Sequence, residues 1–383
     1  MKIKTFWHGL LLVAIVGVFW SGCTIKGDSS DAAVASGGAP GSGGTGGSGG
    51  SNVVACTRTT TPTPTSGPTG GPCDIYAANG APCVAAHSTV RALYAGYSGS
   101  LYQVKKMADG TTMDIGVMAP GGFASSADQD TFCGVNACTI SIIYDQSGMG
   151  NDLSRSPGGM VKTTPDGEAN AKAAPATFSG HSVYGVHIAA GLGYRNDTPC
   201  GTATGDNPES EYMVVAGTPF NSSCCFDYGN METTNRDDSE GTMEAVYFGS
   251  CTAWNKGGGN GPWIMGDLEN GLWAGNSSPY DNNMPLTFSY ITGMVKGDVA
   301  GSNHWVIKTG NAQSGTLITP FDGPRPSSRY NPMRKEGAVG LGTGGDNSAG
   351  ATGNFFEGVM TSGYSTDAAD DAVQANIVAA YGQ

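Results

Sequence analysis

Short segments rich in β-branched and aromatic residues, separated by glycine-rich turns, recur along this chain and restrict what it can fold into. Its 383 residues include 62 Gly, and glycine supplies the backbone conformations that tight turns need. Several short strands with turns between them predict an all-β sandwich or barrel. The predicted strands are residues 139–144, 212–216, 244–248, 304–308 and 355–360.

Helical signals are few, and the clearest one lies near the C-terminal end. Thr366 can cap a helix, and acidic residues follow it in the first turn, where they favour a helix N-terminus. Val373, Ile377 and Ala380 then share one helical face. We expect this helix to close over an edge of the sandwich.

The first residues predict export. Lys2 and Lys4 precede an apolar run over residues 10–20, which is too short to span a bilayer and is typical of a signal peptide. We assign residues 1–22 to that peptide. The small residues before Cys23 resemble a bacterial lipobox, so we expect a lipid on Cys23 that anchors the protein at the cell surface or outer membrane. The alternative is an ordinary signal peptide and an incidental cysteine, which gives a secreted protein.

Two regions of different composition follow the predicted signal peptide. Residues 24–72 are dominated by Gly, Ser, Thr and Pro and carry too little apolar surface to form a core. We interpret them as a disordered linker, and residues 73–383 as one β-sandwich domain. The net charge of -13 argues against a nucleic acid partner, because phosphates would be repelled. We expect a monomer that binds an uncharged substrate.

The cysteines also indicate an exported protein. The chain has 10 Cys, and pairs that bracket short loops in exported chains are usually disulfides. The pairs predicted on this ground are Cys73–Cys83 and Cys133–Cys138. The adjacent residues Cys224 and Cys225 allow two interpretations, a strained ring between them or a separate partner for each. The spacings match no common zinc site.

Two short stretches carry acids in an otherwise weakly charged chain. Residues 261–270 contain Asp267 and Glu269, and residues 342–347 contain Asp346 among glycines, whereas only 13% of all residues are charged. Two acids that face one cleft are what glycoside hydrolysis requires. The alternative is a solvated strand end and an Asx-turn.

Strand alternation refines the first of these stretches. It places Met265, Asp267 and Glu269 on one face and Leu268 in the core. Repulsion between the two acids is expected to raise the pKa of one of them. Asn270 has the opposite parity, so the strand must bulge or end there if Asn270 joins the same site.

Motifs spread from residue 73 almost to the C-terminus resemble glycoside hydrolase family 54. Among them are Cys73-Asp74-Ile75-Tyr76, Cys224-Cys225-Phe226-Asp227-Tyr228-Gly229-Asn230, Gly261-Pro262-Trp263-Ile264-Met265, Gly345-Asp346-Asn347-Ser348 and Glu357-Gly358-Val359-Met360. The resemblance implies an all-β sandwich of the concanavalin or laminin-G type with α-L-arabinofuranosidase activity.

The resemblance also implies roles for single residues. Glu269 is the nucleophile and Asp346 the general acid/base of a retaining, exo-acting enzyme that releases arabinose from plant arabinan or arabinoxylan. The adjacent cysteines form a disulfide against the sugar, and Trp254 forms an aromatic wall. The implied substrate-binding residues are Cys224, Cys225, Met243, Trp254, Asp267, Asn270, Leu272 and Gly345. We expect no cofactor and no metal, and arabinose-containing polysaccharides or oligosaccharides as partners.

Other functions and some departures from the family stay open. The chain could be a surface sugar-binding protein without catalysis, or a related glycosidase that acts on β-xylosides or galactofuranosides. Fungal members commonly continue into an arabinose-binding module, which is missing here, so we expect weaker binding to branched polymer. Cys200 and Cys251 are additional to the family pattern, and we predict that they bond to each other. Cys56 lies in the linker and receives no partner.

Overall fold

The structure is a computed structural model that describes residue 56 and residues 70–237, 241–269, 271–298, 300–326 and 332–382. The predicted signal peptide, Cys23 and all of the predicted linker except residues 56 and 70–72 lie outside these ranges, as does Asn270. Among the helices in these ranges, none combines the length and the apolar character needed to cross a membrane.

Strands dominate the described residues, and helices are short and few. The helices are α1 Pro72–Ala78, α2 Ser126–Cys133 and α3 Asp367–Tyr381. The strands are β1 Cys83–Ser88, β2 Ser100–Lys106, β3 Thr112–Gly116, β4 Cys138–Ile143, β5 Leu153–Arg155, β6 Ala174–Phe178, β7 His181–Ile188, β8 Tyr194–Asn196, β9 Glu209–Ala216, β10 Asp227–Met231, β11 Glu244–Gly249, β12 Trp263–Asp267, β13 Leu272–Trp273, β14 Tyr290–Asp298, β15 His304–Asn311, β16 Ile318–Pro324, β17 Ala338–Leu341 and β18 Gly353–Thr361.

Two antiparallel sheets pack face to face, which confirms the predicted sandwich. The first has the order β16-β15-β14-β9-β18-β7-β6, with β1 also paired to β18. The second has the order β13-β12-β11-β10-β17-β8-β5-β4-β2-β3. Apolar side chains fill the space between them, among them Val215, Val246 and Ile264. The five predicted strands correspond to β4, β9, β11, β15 and β18.

Helix α3 forms where the sequence predicts it but packs elsewhere than expected. The Thr366 side chain accepts a hydrogen bond from the Ala369 amide, as an N-cap does. Val373 and Ile377 share an apolar cluster with Tyr212 and Val214 of β9, and β9 lies in the middle of the first sheet. The helix therefore covers the outer face of that sheet, and the prediction that it closes over an edge is wrong.

Buried ion pairs fasten α3 to the sheet beneath it. Asp370 accepts hydrogen bonds from Lys296 at 2.7 Å and from Lys308 at 2.8 Å. Near the same helix, the Arg91 guanidinium makes a bidentate contact with Glu357 at 2.6 and 2.7 Å. Fully buried pairs persist only with this quality of geometry, because both charges lose their hydration.

The disulfides agree with the sequence except in one case. The predicted pairs Cys73–Cys83 and Cys133–Cys138 are present, and Cys224 bonds to Cys225. The third predicted pair is wrong, because Cys200 bonds to Cys56 and not to Cys251. Cys251 instead lies in the apolar cluster of Tyr247 and Trp263. Pairing of this kind cannot be deduced from spacing, since partners distant in sequence meet only in the fold.

Candidate active site

A pocket opens on the face of the second sheet that points away from the first sheet. Along β12, Ile264 belongs to the inner core, whereas Asp267 reaches the pocket, as alternation requires. The lining residues of the pocket are Cys224, Cys225, Glu232, Asp237, Met243, Trp254, Asp267, Glu269, Gly271, Gly344, Gly345, Asp346 and Ser348.

The pocket brings together eight of the ten predicted site residues. The two others are Asn270, which lies outside the described residues, and Leu272. Leu272 pairs with Asp267 across β12 and β13 and is buried in the apolar cluster of Trp263 and Met265. It therefore packs behind the pocket wall and does not line it.

The backbone turns sharply between Asp267 and Glu269. Strand β12 ends at Asp267, and the Leu268 amide donates to the Gly271 carbonyl at 3.1 Å. Glu269 adopts a left-handed conformation with φ of 56°, which is uncommon for a residue other than glycine. The sequence predicted that the strand carries Glu269 into the site, and this detail is wrong. A turn held by local hydrogen bonds does so instead.

The Glu269 carboxylate is held by a neighbouring loop. Its Oε2 atom accepts hydrogen bonds from the Thr242 amide at 2.5 Å and from the Thr242 hydroxyl at 3.0 Å. The Glu269 amide in turn donates to Asp267 Oδ1 at 3.2 Å. Glu269 is 3% exposed, so only a molecule that enters the pocket can reach the carboxylate.

Asp346 sits on another loop of the pocket, where Ser348 donates hydrogen bonds to it. Its Oδ1 atom accepts a hydrogen bond from the Ser348 amide at 2.9 Å. Burial raises the pKa of Asp346, although the hydrogen bonds from Ser348 oppose this rise. A carboxyl group with a raised pKa can hold a proton at the pH where an ordinary aspartate has lost it.

Hydrogen bonds from Arg195 and Ser156 hold the loop that carries Asp346. Arg195 is buried and donates to the Gly345 carbonyl at 2.8 Å, the Gly344 carbonyl at 3.1 Å and the Glu232 carbonyl. The Asn347 side chain accepts from the Ser156 hydroxyl at 2.9 Å. These contacts set the direction in which Asp346 points.

Asp267 forms a carboxyl pair with Asp227, the first residue of β10. Burial, opposed by the contact with Asp227 and reinforced by the charges of Asp346 and Glu269, raises the pKa of Asp267 to about 7. Burial, followed by the charge of Asp267, raises the pKa of Asp227 well above its usual range. Asp227 is therefore the second of the two to lose its proton as the pH rises. The expected rise of one acid's pKa is confirmed, but burial contributes more to it than repulsion by Glu269.

The disulfide between Cys224 and Cys225 forms one wall of the pocket. The Cys225 sulfur lies 3.3 Å from Asp267 Oδ2 and 3.6 Å from the Ser348 hydroxyl oxygen. The described part of the chain contains one group of three residues whose side chains are close enough to bind a metal ion together: Cys224, Cys225 and Asp267. Both sulfurs are bonded to each other, so neither is available as a thiolate ligand.

Two apolar residues complete the pocket in different ways. Trp254 is 39% exposed at the rim, whereas Met243 is 2% exposed and packs with Met231 and Ala245. An exposed ring beside a polar pocket can stack on the C–H face of a ligand. Met243 contributes to the pocket wall from an almost fully buried position.

Sequence reasoning missed several residues of this site. Asp227 is the first residue of β10 and lies two residues after Cys225 in the Cys224–Asn230 motif, so the motif could have indicated it as a further acid near the site. Glu232 and Asp237 follow the end of β10 in irregular chain, where no periodicity assigns a direction to a side chain. Thr242 was missed for the same reason.

Comparisons with known proteins agree on one family. The family described as "Alpha-L-arabinofuranosidase B, catalytic" matches residues 72–382. "Probable alpha-L-arabinofuranosidase B" of Aspergillus fumigatus is 55% identical over 316 residues, and "Alpha-L-arabinofuranosidase B" of Aspergillus oryzae is 54% identical over 316 residues. Each match covers 81% of this chain and 62% of the relative. The chain thus spans less than two thirds of the length of these relatives.

Solved structures with a similar fold come from the same family. A glycoside hydrolase family 54 α-L-arabinofuranosidase soaked with a cyclic sulfate inhibitor superposes with a TM-score of 0.78 at 50% identity. An arabinofuranosidase in complex with arabinofuranosyl-α-1,2-xylobiose superposes with a TM-score of 0.77 at 50% identity. Both matches cover 81% of this chain and 65% of the other chain.

Proposed function

The chain belongs to the family of catalytic domains of α-L-arabinofuranosidase B, in glycoside hydrolase family 54, and on this premise we propose that it is a retaining, exo-acting α-L-arabinofuranosidase. The observation that carries the proposal is one pocket that holds Glu269, Asp346 and the Cys224–Cys225 disulfide together. A compact pocket lined by both acids suits the removal of a single terminal sugar.

Glu269 is the proposed nucleophile. Its Oε atom attacks the anomeric carbon, and the glycosidic bond breaks as the ester bond to the enzyme forms. The hydrogen bonds from Thr242 to Oε2 fix the plane of the carboxylate. Such positioning of the reacting atom lowers the entropic part of the barrier.

Asp346 is the proposed general acid and base. In the first step it gives its proton to the leaving oxygen, and in the second it takes a proton from the water that releases arabinose. Burial supports this role, because it raises the pKa of Asp346 and so favours the protonated form at the start of the cycle. The proposed sugar contacts are Asp267, Gly345, Trp254, the disulfide, Met243 and Asn270, and Leu272 supports the wall from the apolar cluster behind it.

The proposed substrates are arabinan- and arabinoxylan-type chains with terminal arabinofuranose. One solved structure of a relative is named as a complex with an arabinofuranosyl xylobiose. The net charge of -13 supports an uncharged polysaccharide, since an anionic one would be repelled.

The experiment that tests this function is a panel of 4-nitrophenyl glycosides. We expect release of nitrophenol from the α-L-arabinofuranoside and little from the β-D-xylopyranoside or β-D-galactofuranoside. Proton NMR of the first sugar released should show the α-anomer, because double displacement retains configuration. No turnover together with arabinose binding would indicate a sugar-binding protein, and the β-anomer as first product would exclude the retaining mechanism.

The proposed location is the outer surface of the cell. We propose that residues 1–22 are removed as a signal peptide, that Cys23 carries a lipid anchor, and that residues 24–72 link the anchor to a monomeric domain of residues 73–383. Mass spectrometry of the mature N-terminus tests this: an acylated Cys23 is expected. A free amine at another residue would indicate simple secretion instead.

A further inference from the structure

The pocket contains a third carboxyl group, Glu232, that neither the nucleophile nor the acid/base role uses. Glu232 directly follows β10 and lines the pocket, yet it is only 1% exposed. No N–H or O–H donor of another residue in the described ranges reaches either of its carboxyl oxygens. A buried polar group without partners is costly, so its retention at a pocket wall points to a ligand that completes it.

The position of Glu232 is fixed between the two proposed catalytic residues. A Cβ atom added to Gly345 would overlap the Glu232 carboxyl group, so this group lies directly against the backbone of the residue before Asp346. Arg195 holds the Glu232 carbonyl together with those of Gly344 and Gly345. The backbone of Glu232 is therefore tied to the loop that carries Asp346.

The surroundings of Glu232 favour its neutral form. It is buried, no other residue in the described ranges donates a hydrogen bond to it, and the charges of Glu269 and Asp267 act on it. Its own backbone amide and the charge of Arg195 oppose this effect without cancelling it. Burial first, and then the charge of Glu269, raise the pKa of Glu232 well above its usual range. A neutral carboxylic acid offers one O–H donor and one carbonyl acceptor, and both remain free for a hydroxyl group.

We propose that Glu232 is a glycone-binding residue, which as a neutral acid exchanges hydrogen bonds with one ring hydroxyl of the sugar in the pocket. The inference rests on the proposed function and adds a specificity-determining contact to it. An ionised group at this place would put a third negative charge beside the nucleophile, whereas the neutral acid binds a hydroxyl without that repulsion.

The test compares Glu232→Gln with Glu232→Leu on 4-nitrophenyl α-L-arabinofuranoside and on its 2-, 3- and 5-deoxy analogues. The amide of glutamine is neutral and still donates and accepts, so Glu232→Gln should keep kcat/KM within about threefold of wild type. Leucine removes the contact and should lower kcat/KM by about 10- to 100-fold, the range expected for one lost hydrogen bond at a buried site.

The deoxy substrates identify the contact. On the analogue that lacks the bonded hydroxyl, wild type and Glu232→Leu should have the same kcat/KM, whereas on the other two the difference should persist. Glu211→Gln is the matched control: Glu211 is equally buried and has one oxygen without a partner in the described residues, but it lies away from the pocket lining. It should leave kcat/KM unchanged.

Several results would overturn the proposal. They are a folded Glu232→Leu with wild-type kcat/KM, a Glu232→Gln as impaired as Glu232→Leu, and a difference that persists on all three deoxy analogues. If circular dichroism shows that Glu232→Leu does not fold, Glu232→Asp replaces it, because its shorter side chain withdraws the donor. Failure of the wild type on every arabinofuranoside would instead refute the proposed function itself.

Discussion

Two carboxyl groups of one pocket acquire different chemistry from their immediate neighbours. Glu269 accepts two hydrogen bonds from Thr242, whereas Asp346 is partly exposed, and desolvation raises its pKa despite the hydrogen bonds from Ser348. Donors aimed at a carboxylate favour its charged form, and burial favours the neutral one. The raised pKa of Asp346 supports its proposed role as the acid.

Leaving-group dependence distinguishes the two proposed roles. Glu269→Gln should abolish turnover of every arabinofuranoside, because no covalent intermediate can form. Asp346→Asn should lower kcat/KM by about 10²- to 10⁴-fold on substrates with poor leaving groups. The same variant should spare the first step on dinitrophenyl arabinofuranosides, because dinitrophenolate leaves with little help from protonation. Steady-state and burst kinetics on a series of aryl glycosides measure both effects. An equal loss on good and poor leaving groups would contradict the role of Asp346.

The raised pKa of Asp267 predicts how stability depends on pH. Its pKa rises from 3.8 in the unfolded chain to about 7 in the fold, so between these values the folded protein binds a proton that the unfolded chain releases. Stability from this group is therefore complete below pH 4 and is lost as the pH rises through 7, by at most about 1.4 kcal/mol per pH unit.

Asp267→Asn should remove this contribution to the pH dependence. Urea titrations at several pH values between 4 and 8 would measure it, and the variant should show a flatter decline in the free energy of unfolding than wild type. Asp371→Asn, at an exposed position of α3, should leave the decline unchanged. Parallel curves for wild type and Asp267→Asn would show that Asp267 does not hold its proton over this range.

At the scale of elements, the sequence predicted what local chemistry determines. The cap at Thr366, the strands β9 and β11 and the alternation between Ile264 and Asp267 along β12 depend on neighbours in sequence, and each was confirmed. The hydrogen bonds from Thr242 to the Glu269 carboxylate and the position of α3 over the sheet depend on residues distant in sequence. No local pattern encodes these contacts. The sequence did not indicate Glu232 as a site residue for the same reason, because Glu232 lies beyond the last paired residue of β10.

The vicinal disulfide is predicted to serve binding more than stability. An adjacent pair closes almost no loop, so its loss costs little entropy of the unfolded chain. Its sulfurs, however, pack against Asp267 and Ser348 in the pocket wall. Cys224→Ala/Cys225→Ala should therefore raise KM for the aryl arabinofuranoside several-fold while the melting temperature changes little.

Removal of another short-range disulfide provides the control. Cys133→Ala/Cys138→Ala opens a bond between residues five apart, away from the pocket lining, and should lower stability by about 2 kcal/mol with KM unchanged. The opposite pattern for the vicinal pair, a collapsed melting temperature with an unchanged KM, would show that the ring is only structural.

At the scale of the whole molecule, one disulfide determines where the domain is joined to its N-terminal segment. Cys56 belongs to the predicted linker, and Cys200 is held by hydrogen bonds between its backbone and the Asn151 side chain at 2.6 and 2.8 Å. A force on the N-terminal segment would therefore reach the sandwich at Cys200. If Cys23 carries the proposed lipid, the predicted linker between that lipid and the domain is effectively residues 24–55.

This second connection predicts that cutting the chain between residues 57 and 69 does not release the domain. With a specific protease site inserted there, the cleaved protein should run as one species on non-reducing gels and as two after reduction. In membranes of cells that lipidate Cys23, activity should stay bound after cleavage and enter the supernatant only when a thiol is added. Cys56→Ser/Cys200→Ser should release the domain on cleavage alone. If the cleaved protein that retains both cysteines is released without reductant, the Cys56–Cys200 bond does not form.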